Sequence, residues 1–303
     1  MFKTPILFLI FNRPDTTIQV FEAIKQIRPA FLFIAADGPR KNRSGEFEKC
    51  QETRDFVINA IDWDCEVKTL FRDENLGCGK AVSSAITWFF ENVEEGIILE
   101  DDCLPNSDFF QYCTELLDYY RNDPRIMHIS GNSLRKKANM NKGSYYFSAH
   151  SHIWGWASWR SVWNKYSFTL DNIDEPSFKR LASDYLTLKG DQEYWTKIFL
   201  KMKRLEIDTW DYQLTFSIWK SGGLSIIPNV NLVTNLGFGI EATHTKKENE
   251  LANMPSLKIL PLRHPQQIKI DRKADQSFYR NYINKNIFKK VVSKLKRTYK
   301  SFA

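Results

Sequence analysis

The stretch Gly96-Ile97-Ile98-Leu99-Glu100-Asp101-Asp102 ends a short apolar run on three consecutive acids. Carboxylates packed this tightly repel one another and raise each other's proton affinity unless positive charge compensates them. A hard divalent cation does so, because oxygen atoms are its natural ligands. Protein sites for Mg²⁺ or Mn²⁺ commonly use one or two carboxylates, with substrate phosphates completing the shell. The triplet therefore points to a metal–diphosphate site. The plain alternative is a solvated acidic turn ahead of a helix, where the macrodipole favours Asp and Glu.

Three further segments carry candidate chemistry. Asn75-Leu76-Gly77-Cys78-Gly79-Lys80 is a glycine loop opening a helix, a place where backbone N–H groups can face phosphate and Lys80 can add a charge. It lacks the spacing of a P-loop, which excludes the usual ATPase reading, and an ordinary helix start is the alternative. In Asp208-Thr209-Trp210-Asp211-Tyr212-Gln213, Asp211 is the candidate general base, since an acceptor hydroxyl is a poor nucleophile until its proton is taken. Asp208 is the expected N-cap of the helix that follows, leaving Asp211 for other work; a simple first-turn acid is the alternative. His152–Trp163 holds four tryptophans, Trp154, Trp156, Trp159 and Trp163. Most should pack a core or a seam. Gly155 and Trp156 are candidates for shaping a sugar pocket, and another indole for stacking on an acceptor sugar. His150 and His152 are expected to be structural, phosphate contact being the other option.

The elements that would position these residues are legible from periodicity. Pro5–Phe11, Phe31–Ala36, Val67–Phe71, Gly96–Leu99 and Ile126–Ser130 are short apolar runs predicted as strands. Between them lie predicted helices at Asp15–Ile27 (stripe Ile18, Phe21, Ile24, Ile27, with Pro14 at the start), near Glu46–Ile61, at Lys80–Asn92, and at Ser107–Tyr120 with Ser107 as N-cap. Helical patterns follow near Phe178–Leu188, Gln192–Leu205 and Asp208–Lys220, then a final strand, Ile226–Val233. This β-α-β-α order predicts a mostly parallel, doubly wound α/β sheet. Ligands of such sheets bind beyond the carboxyl ends of the strands, which draws attention to Asn12 and Arg13, Asp37 and Gly38, Arg72 to Asn75, and Glu100 to Asp102.

Composition narrows the classes. The chain has 303 residues, 43% of them hydrophobic, which suits one large domain or one domain with an appendage and excludes disorder and coiled coil as overall descriptions. No apolar run approaches the roughly 18–20 residues that span a bilayer, and MFKTPILFLIFNRP reads as a first strand and not a signal peptide. The net charge of +7 is concentrated in the stretch from Lys285 onward, which holds seven basic residues and no acid. A neutral body with a basic tail argues against nucleic acid. Ile287, Val291, Leu295 and Tyr299 recur four apart in that tail, a basic amphipathic pattern suited to an anionic membrane surface, or to packing on the body. Cys50, Cys65, Cys78, Cys103 and Cys113 form no CxxC pair and no zinc spacing, as expected of thiols in a reducing cytoplasm.

Taken in order, the segments PILFLIFNRP, AADGP, IILEDDCLPNSDFF, GWASW and WDYQ resemble GT-A-fold glycosyltransferases, most closely the α-mannoside N-acetylglucosaminyltransferase type. The match is piecewise over most of Phe2–Gly239, and NLGCGK departs from the family pattern. The resemblance implies a GT-A (Rossmann-like) domain over 1–245 and a C-terminal helical extension over 246–303. It implies a nucleotide-diphospho-sugar donor (a UDP-sugar favoured), Mn²⁺ or Mg²⁺, and transfer with inversion to a glycan or lipid-linked acceptor hydroxyl. By the same match Asp102 ligates the metal, while Glu100 and Asp101 contact ribose, sugar or a metal-bound water. Asp37 accepts from the base N–H, Arg13 contacts phosphate or nucleotide, and Asp211 stands at the base position. Asn235–Thr245 corresponds to a loop closing over the donor, with His244 as a metal or phosphate ligand. Two rivals remain. A sugar-phosphate nucleotidyltransferase would need a long Gly-rich loop after the first strand, where Asn12-Arg13-Pro14-Asp15 stands. The other is a catalytically silent nucleotide-sugar or membrane-binding protein.

Overall fold

The computed structural model of the chain describes residues 1–135, 140, 143–238 and 253–284. The first apolar run forms β1 (Ile6–Ile10), buried at every position. Pro14 opens α1 (Pro14–Ile27), where its missing N–H has no partner to lose. The chain continues through β2 (Phe31–Ala36), α2 (Glu46–Asn59), β3 (Glu66–Phe71), α3 (Cys78–Asn92), β4 (Glu95–Glu100), β5 (Cys103–Pro105), α4 (Ser107–Tyr120) and β6 (Ile126–Ser130). There follow β7 (Tyr145–Ser148), β8 (Trp156–Trp159), α5 (Arg160–Trp163), α6 (Glu175–Tyr185), α7 (Lys189–Lys203), α8 (Asp211–Lys220), β9 (Leu224–Pro228), β10 (Val233–Asn235) and α9 (Arg272–Phe278), which runs into a π-helical turn, Tyr279–Ile283.

Among the described residues, eight strands form one sheet in the order β3-β2-β1-β4-β8-β6-β9-β7, and β5 and β10 form a small second sheet. The large sheet is mostly parallel; β8 and β7 run against their neighbours. Alternate residues of each strand feed two cores. Ile6, Phe8 and Ile10 pack with α1, α2 and α4 on one face. Leu7 and Leu9 pack with α3, α6, α7 and α8 on the other. The predicted doubly wound α/β fold is thus observed.

Several local expectations are corrected. In α1 the buried face is Thr17, Val20, Phe21 and Ile24, and Ile18 is 38% exposed. A strict spacing of three slips by about 60° per step on a 3.6-residue helix, so Ile18 and Ile27 cannot share a face. The N-cap of α4 is Asn106 and not Ser107: its side chain accepts from Phe109 N at 3.1 Å. The single final strand divides into β9 and β10, which enter different sheets. β5, β7 and β8 were not anticipated. β8 is inserted antiparallel between β4 and β6, with Ala157 opposite both Ile97 and Ile129; its tryptophans give no alternating pattern to announce a strand.

The polar stretch after residue 253 wraps the body. Ile259 N and Leu260 N donate to Asp108 Oδ2 at 2.8 and 3.2 Å. The buried Asp275 accepts from Ser148 Oγ at 2.6 Å and Ala149 N at 3.0 Å. Residues 285–303, which include the basic tail, lie outside the described residues. Among those described, no helix is long and apolar enough to cross a membrane.

Two histidines, His128 within β6 and His152 beyond β7, are buried. Burial lowers the His128 pKa to about 3, and burial with the neighbouring His150 lowers that of His152 to about 4. Both titrate near 6.5 when unfolded, so between these values the unfolded chain binds the extra protons. Stability is then full above about pH 6.5 and falls as the pH is lowered, by up to about 1.4 kcal/mol per pH unit for each ring. We predict that His128→Leu flattens the stability-versus-pH curve between pH 6.5 and 4, measured by urea unfolding; an unchanged slope would remove His128 as its source.

Candidate active site

Register brings the polar residues after the parallel strands to one edge. Ile10 pairs with Ala36 and Leu9 with Glu100, so Asp37 and the acidic triplet flank the chain leaving β1. A cleft of about 550 Å³ opens there, lined by residues that include Arg13, Arg40, Arg72, Asp37, Glu100, Asp101, Asp102, Asp208 and Asp211. Its size falls in the range of small-molecule sites. Six carboxylates against three guanidinium groups leave it net negative.

The triplet is held from both sides. Asp101, 7% exposed, accepts from Phe11 N at 3.1 Å. Arg13 Nη1 lies 2.7 Å from Asp102 Oδ2 and 3.6 Å from Asp101 Oδ1. Burial would weaken the Arg13 cation, but Asp101 and Asp102 outweigh that and raise its pKa. Burial, and then the charges of Asp102, Asp101 and Asp211, push the Glu100 carboxyl up. Asp101 is pushed up by burial too, with Arg13 opposing. β10 pairs with β5, Asn235 opposite Cys103, and this lays the next residues on the triplet. Leu236 N donates to Asp102 O at 2.7 Å. A Cβ on Gly237 would stand 2.0 Å from Asp102 Oδ2, so any other residue there would push the Asp102 carboxylate aside. Residues 239–252, which include His244 and most of the proposed closing loop, lie outside the described residues.

The other wall differs from the sequence reading. The backbone N–H groups that were candidates for phosphate are taken by carboxylates. Asp37 accepts from Leu76 N at 3.0 Å and Gly77 N at 3.2 Å; burial raises its pKa against these bonds. Asp208 accepts from Cys78 N at 3.1 Å and Gly79 N at 2.8 Å. Asp208 therefore caps α3, 130 residues away in sequence, and not α8, whose N-cap residue Trp210 makes no side-chain cap bond. Lys80 is exposed and does not line the cleft. Asp211, the first residue of α8, lines the cleft and accepts from Thr209 Oγ1 at 2.5 Å. Arg40 is occupied by the buried Glu46 and lies 5.6 Å from the centre of the Phe11 ring.

Gly155 and Trp156 are not pocket residues. Trp156 is fully buried, stacked between His128 at 5.3 Å and Trp210 at 5.6 Å. Gly155 has φ +61°, and a Cβ there would meet Val233, Leu99 and Phe109. The aromatic lining comes from Phe11, Trp154, Trp210, Tyr212 and Phe238, with Phe238 edge-on to Trp154 at 5.7 Å. The cause is register: β8 pairs Trp156 with Ile98 and runs antiparallel to β4, so the residues just before Trp156 arrive beside Glu100. His150 and His152 are buried away from the cleft, as structural histidines. Sequence reasoning gave no role to Thr209 and Gly237, put Asp208 at the N-cap of the wrong helix, and left open which indole faces the cleft, where the structure puts Trp154. A Gly-x-Gly pair is a signal for close approach, but it does not name what approaches.

Among the described residues no three His, Cys, Asp or Glu side chains form a ready-made metal cage. A cation here would share its shell with a ligand's oxygens.

No protein-family model and no curated protein matches the chain. Solved structures similar to part of it include HddC from Yersinia pseudotuberculosis, 11% identical over 57% of this chain and 85% of that one, with a TM-score of 0.35. A cytidylyltransferase from Leptospira borgpetersenii is 14% identical over 68% and 73%, with a TM-score of 0.33. S. aureus TarS 1-349 is 9% identical over 62% and 53%, with a TM-score of 0.36. Likeness at this level adds nothing to what the strand order itself shows.

The buried indole of Trp156 and the exposed Lys80 should separate cleanly. We predict that Trp156→Ala costs about 3–5 kcal/mol of stability. Lys80→Ala, at an exposed site, should change stability by less than about 0.5 kcal/mol. Denaturant unfolding of both variants checks the pair.

Proposed function

We propose that the chain is a metal-assisted glycosyltransferase that moves a sugar from a nucleotide-diphosphate donor, a UDP-sugar favoured, to a hydroxyl of a glycan or lipid-linked acceptor, with inversion. The observation that carries this reading is the surplus of carboxylates around Arg13 at the carboxyl end of β4. A diphosphate cannot enter a net negative cleft without added positive charge. Glu100 and Asp101, both driven toward their protonated forms, mark a place where a cation is favoured. Asp102, with Glu100 beside it, would hold Mn²⁺ or Mg²⁺ together with the donor's phosphates, and Asp102 would then exchange Arg13 for the metal. When bound, the cation neutralises the charge that develops on the departing nucleoside diphosphate.

The remaining work falls to this chain's own side chains. Arg13, released from Asp102, is within reach of the donor's phosphates. Trp154 and Phe238 present an apolar wall suited to a sugar face. Asp211, held by Thr209 at the start of α8, accepts the proton of the acceptor hydroxyl as the new bond forms. The connection from β1 to α1 is only Phe11-Asn12-Arg13, which leaves no long loop to wrap a nucleoside triphosphate and favours this reading over a nucleotidyltransferase. The basic sequence of the tail suits placement at an anionic lipid surface, where a lipid-linked acceptor would be met.

Calorimetry with nucleoside diphosphates, with and without Mn²⁺, tests the reading, followed by a panel of nucleotide sugars assayed for release of the diphosphate. We expect Asp102→Ala to abolish the Mn²⁺-dependent part of the affinity. Asp211→Ala should bind the nucleotide within about threefold of wild type and lose roughly 10²–10⁴-fold in transfer. No cation-assisted affinity for any nucleoside diphosphate would sink the proposal. Pyrophosphate release from a nucleoside triphosphate and a sugar 1-phosphate would point to the nucleotidyltransferase.

A further inference from the structure

Asp208 lies in the irregular connection between α7 and α8, three residues before Asp211. Its two carboxylate oxygens accept from the first two N–H groups of α3, Gly79 N to Oδ1 at 2.8 Å and Cys78 N to Oδ2 at 3.1 Å. Bonds from backbone N–H to a carboxylate are of the strong, charge-assisted kind, and the positive end of a 15-residue helix adds to them. The glycines on either side of Cys78 make the contact possible. A Cβ at Gly77 would stand 2.7 Å from Asp208 Oδ2, and one at Gly79 would stand 2.9 Å from Asp208 Oδ1 and 2.9 Å from Thr209 O. The Gly-Cys-Gly sequence that looked like a phosphate loop is thus shaped to receive a carboxylate of its own chain.

The same connection holds Asp211. Thr209 Oγ1 donates to Asp211 Oδ1 at 2.5 Å, and Tyr166 Oη donates to Trp210 O at 3.1 Å. Asp37 grips the other end of the glycine loop through Leu76 N and Gly77 N. One wall of the cleft, β2 with the start of α3, is therefore tied to the start of α8 by carboxylate-to-backbone bonds. We propose that Asp208 and Thr209 are positioning residues. Asp208 anchors the α7–α8 connection to α3, and Thr209 orients the Asp211 carboxylate within it. This rests on the reading of Asp211 as the base. Asp208 acts through backbone and Thr209 through Asp211, so neither needs to touch substrate.

The test has one arm that needs no activity. Hydrogen exchange on the free protein should show faster exchange in Asp208→Ala both at 76–83 and at 207–214. Faster exchange at 76–83 alone would make Asp208 a plain cap of α3 and overturn its positioning role. In the second arm, the donor that the nucleotide-sugar panel identifies is used with Mn²⁺. Asp208→Ala and Thr209→Val should lower kcat for transfer about 10–100-fold, with nucleotide Kd within about threefold of wild type. Thr209→Ser, which keeps the hydroxyl, should recover most of the Thr209→Val loss. Gly79→Ala, which displaces the carboxylate from the other side, should reproduce the Asp208→Ala pattern and stands in if that variant does not fold. Unchanged kcat in Asp208→Ala, or equal losses in Thr209→Val and Thr209→Ser, would overturn the proposal. Full transfer by Asp211→Ala would instead remove the base assignment, leaving the exchange result to judge the tether alone.

Discussion

Negative charge gathered at the end of a buried strand must be neutralised, and the cleft is organised around that requirement. β4 carries Glu100, Asp101 and Asp102 out of the sheet one after another. β4 ends at Glu100, and Asp101 and Asp102 form the turn that follows it, so the three carboxylates leave the sheet together. Asp101 turns to Phe11 N. Asp102 turns to Arg13, which arrives because α1 starts immediately after β1 with Pro14 at its first turn. A single guanidinium does not balance three carboxylates together with Asp211; burial first, and then the charges of Asp102, Asp101 and Asp211, raise the proton affinity of Glu100.

The aromatic residues are arranged in layers behind and beside this charge. His128, Trp156 and Trp210 stack in succession, from the enclosed core to the cleft surface. Large rigid side chains of this kind bury much area and fix the ring in front of them. Trp210 is held by that stack, and Asp211 follows it directly in the chain. The segment that wraps the body after residue 253 is fastened to α4 through Asp108 and to β7 through Asp275, and to β10 through Asn253 N, which donates to Asn235 O.

The loop at the start of α3 shows how the same local chemistry can serve two ends. Unpaired N–H groups at a helix N-terminus attract any anion. Here Asp37 and Asp208 fill that role from within the chain. Among the described residues, positive charge for an outside anion then comes from the guanidinium groups that line the cleft, Arg13, Arg40 and Arg72, of which Arg40 is engaged by Glu46.

Much of the fold was legible in the sequence, because short apolar runs alternating with helical stripes allow few other arrangements; β1, β2, α3, β4 and β6 stand where periodicity puts them, within two residues. The acidic triplet and Asp211 were legible as well, since three acids on the end of an apolar run and an acid at a helix start are local signals. What lay out of reach was every relation between distant segments. Whether Trp154 or Trp156 faces the cleft depends on the register of β8 against β4, and a one-residue shift reverses the answer. Whether Gly77 and Gly79 receive a phosphate or a carboxylate depends on where the α7–α8 connection falls. The chain's local patterns determined its elements and where its charge would gather; only tertiary packing decided which partner each charge and each ring would meet, because partners such as Asp208 and Cys78 lie 130 residues apart.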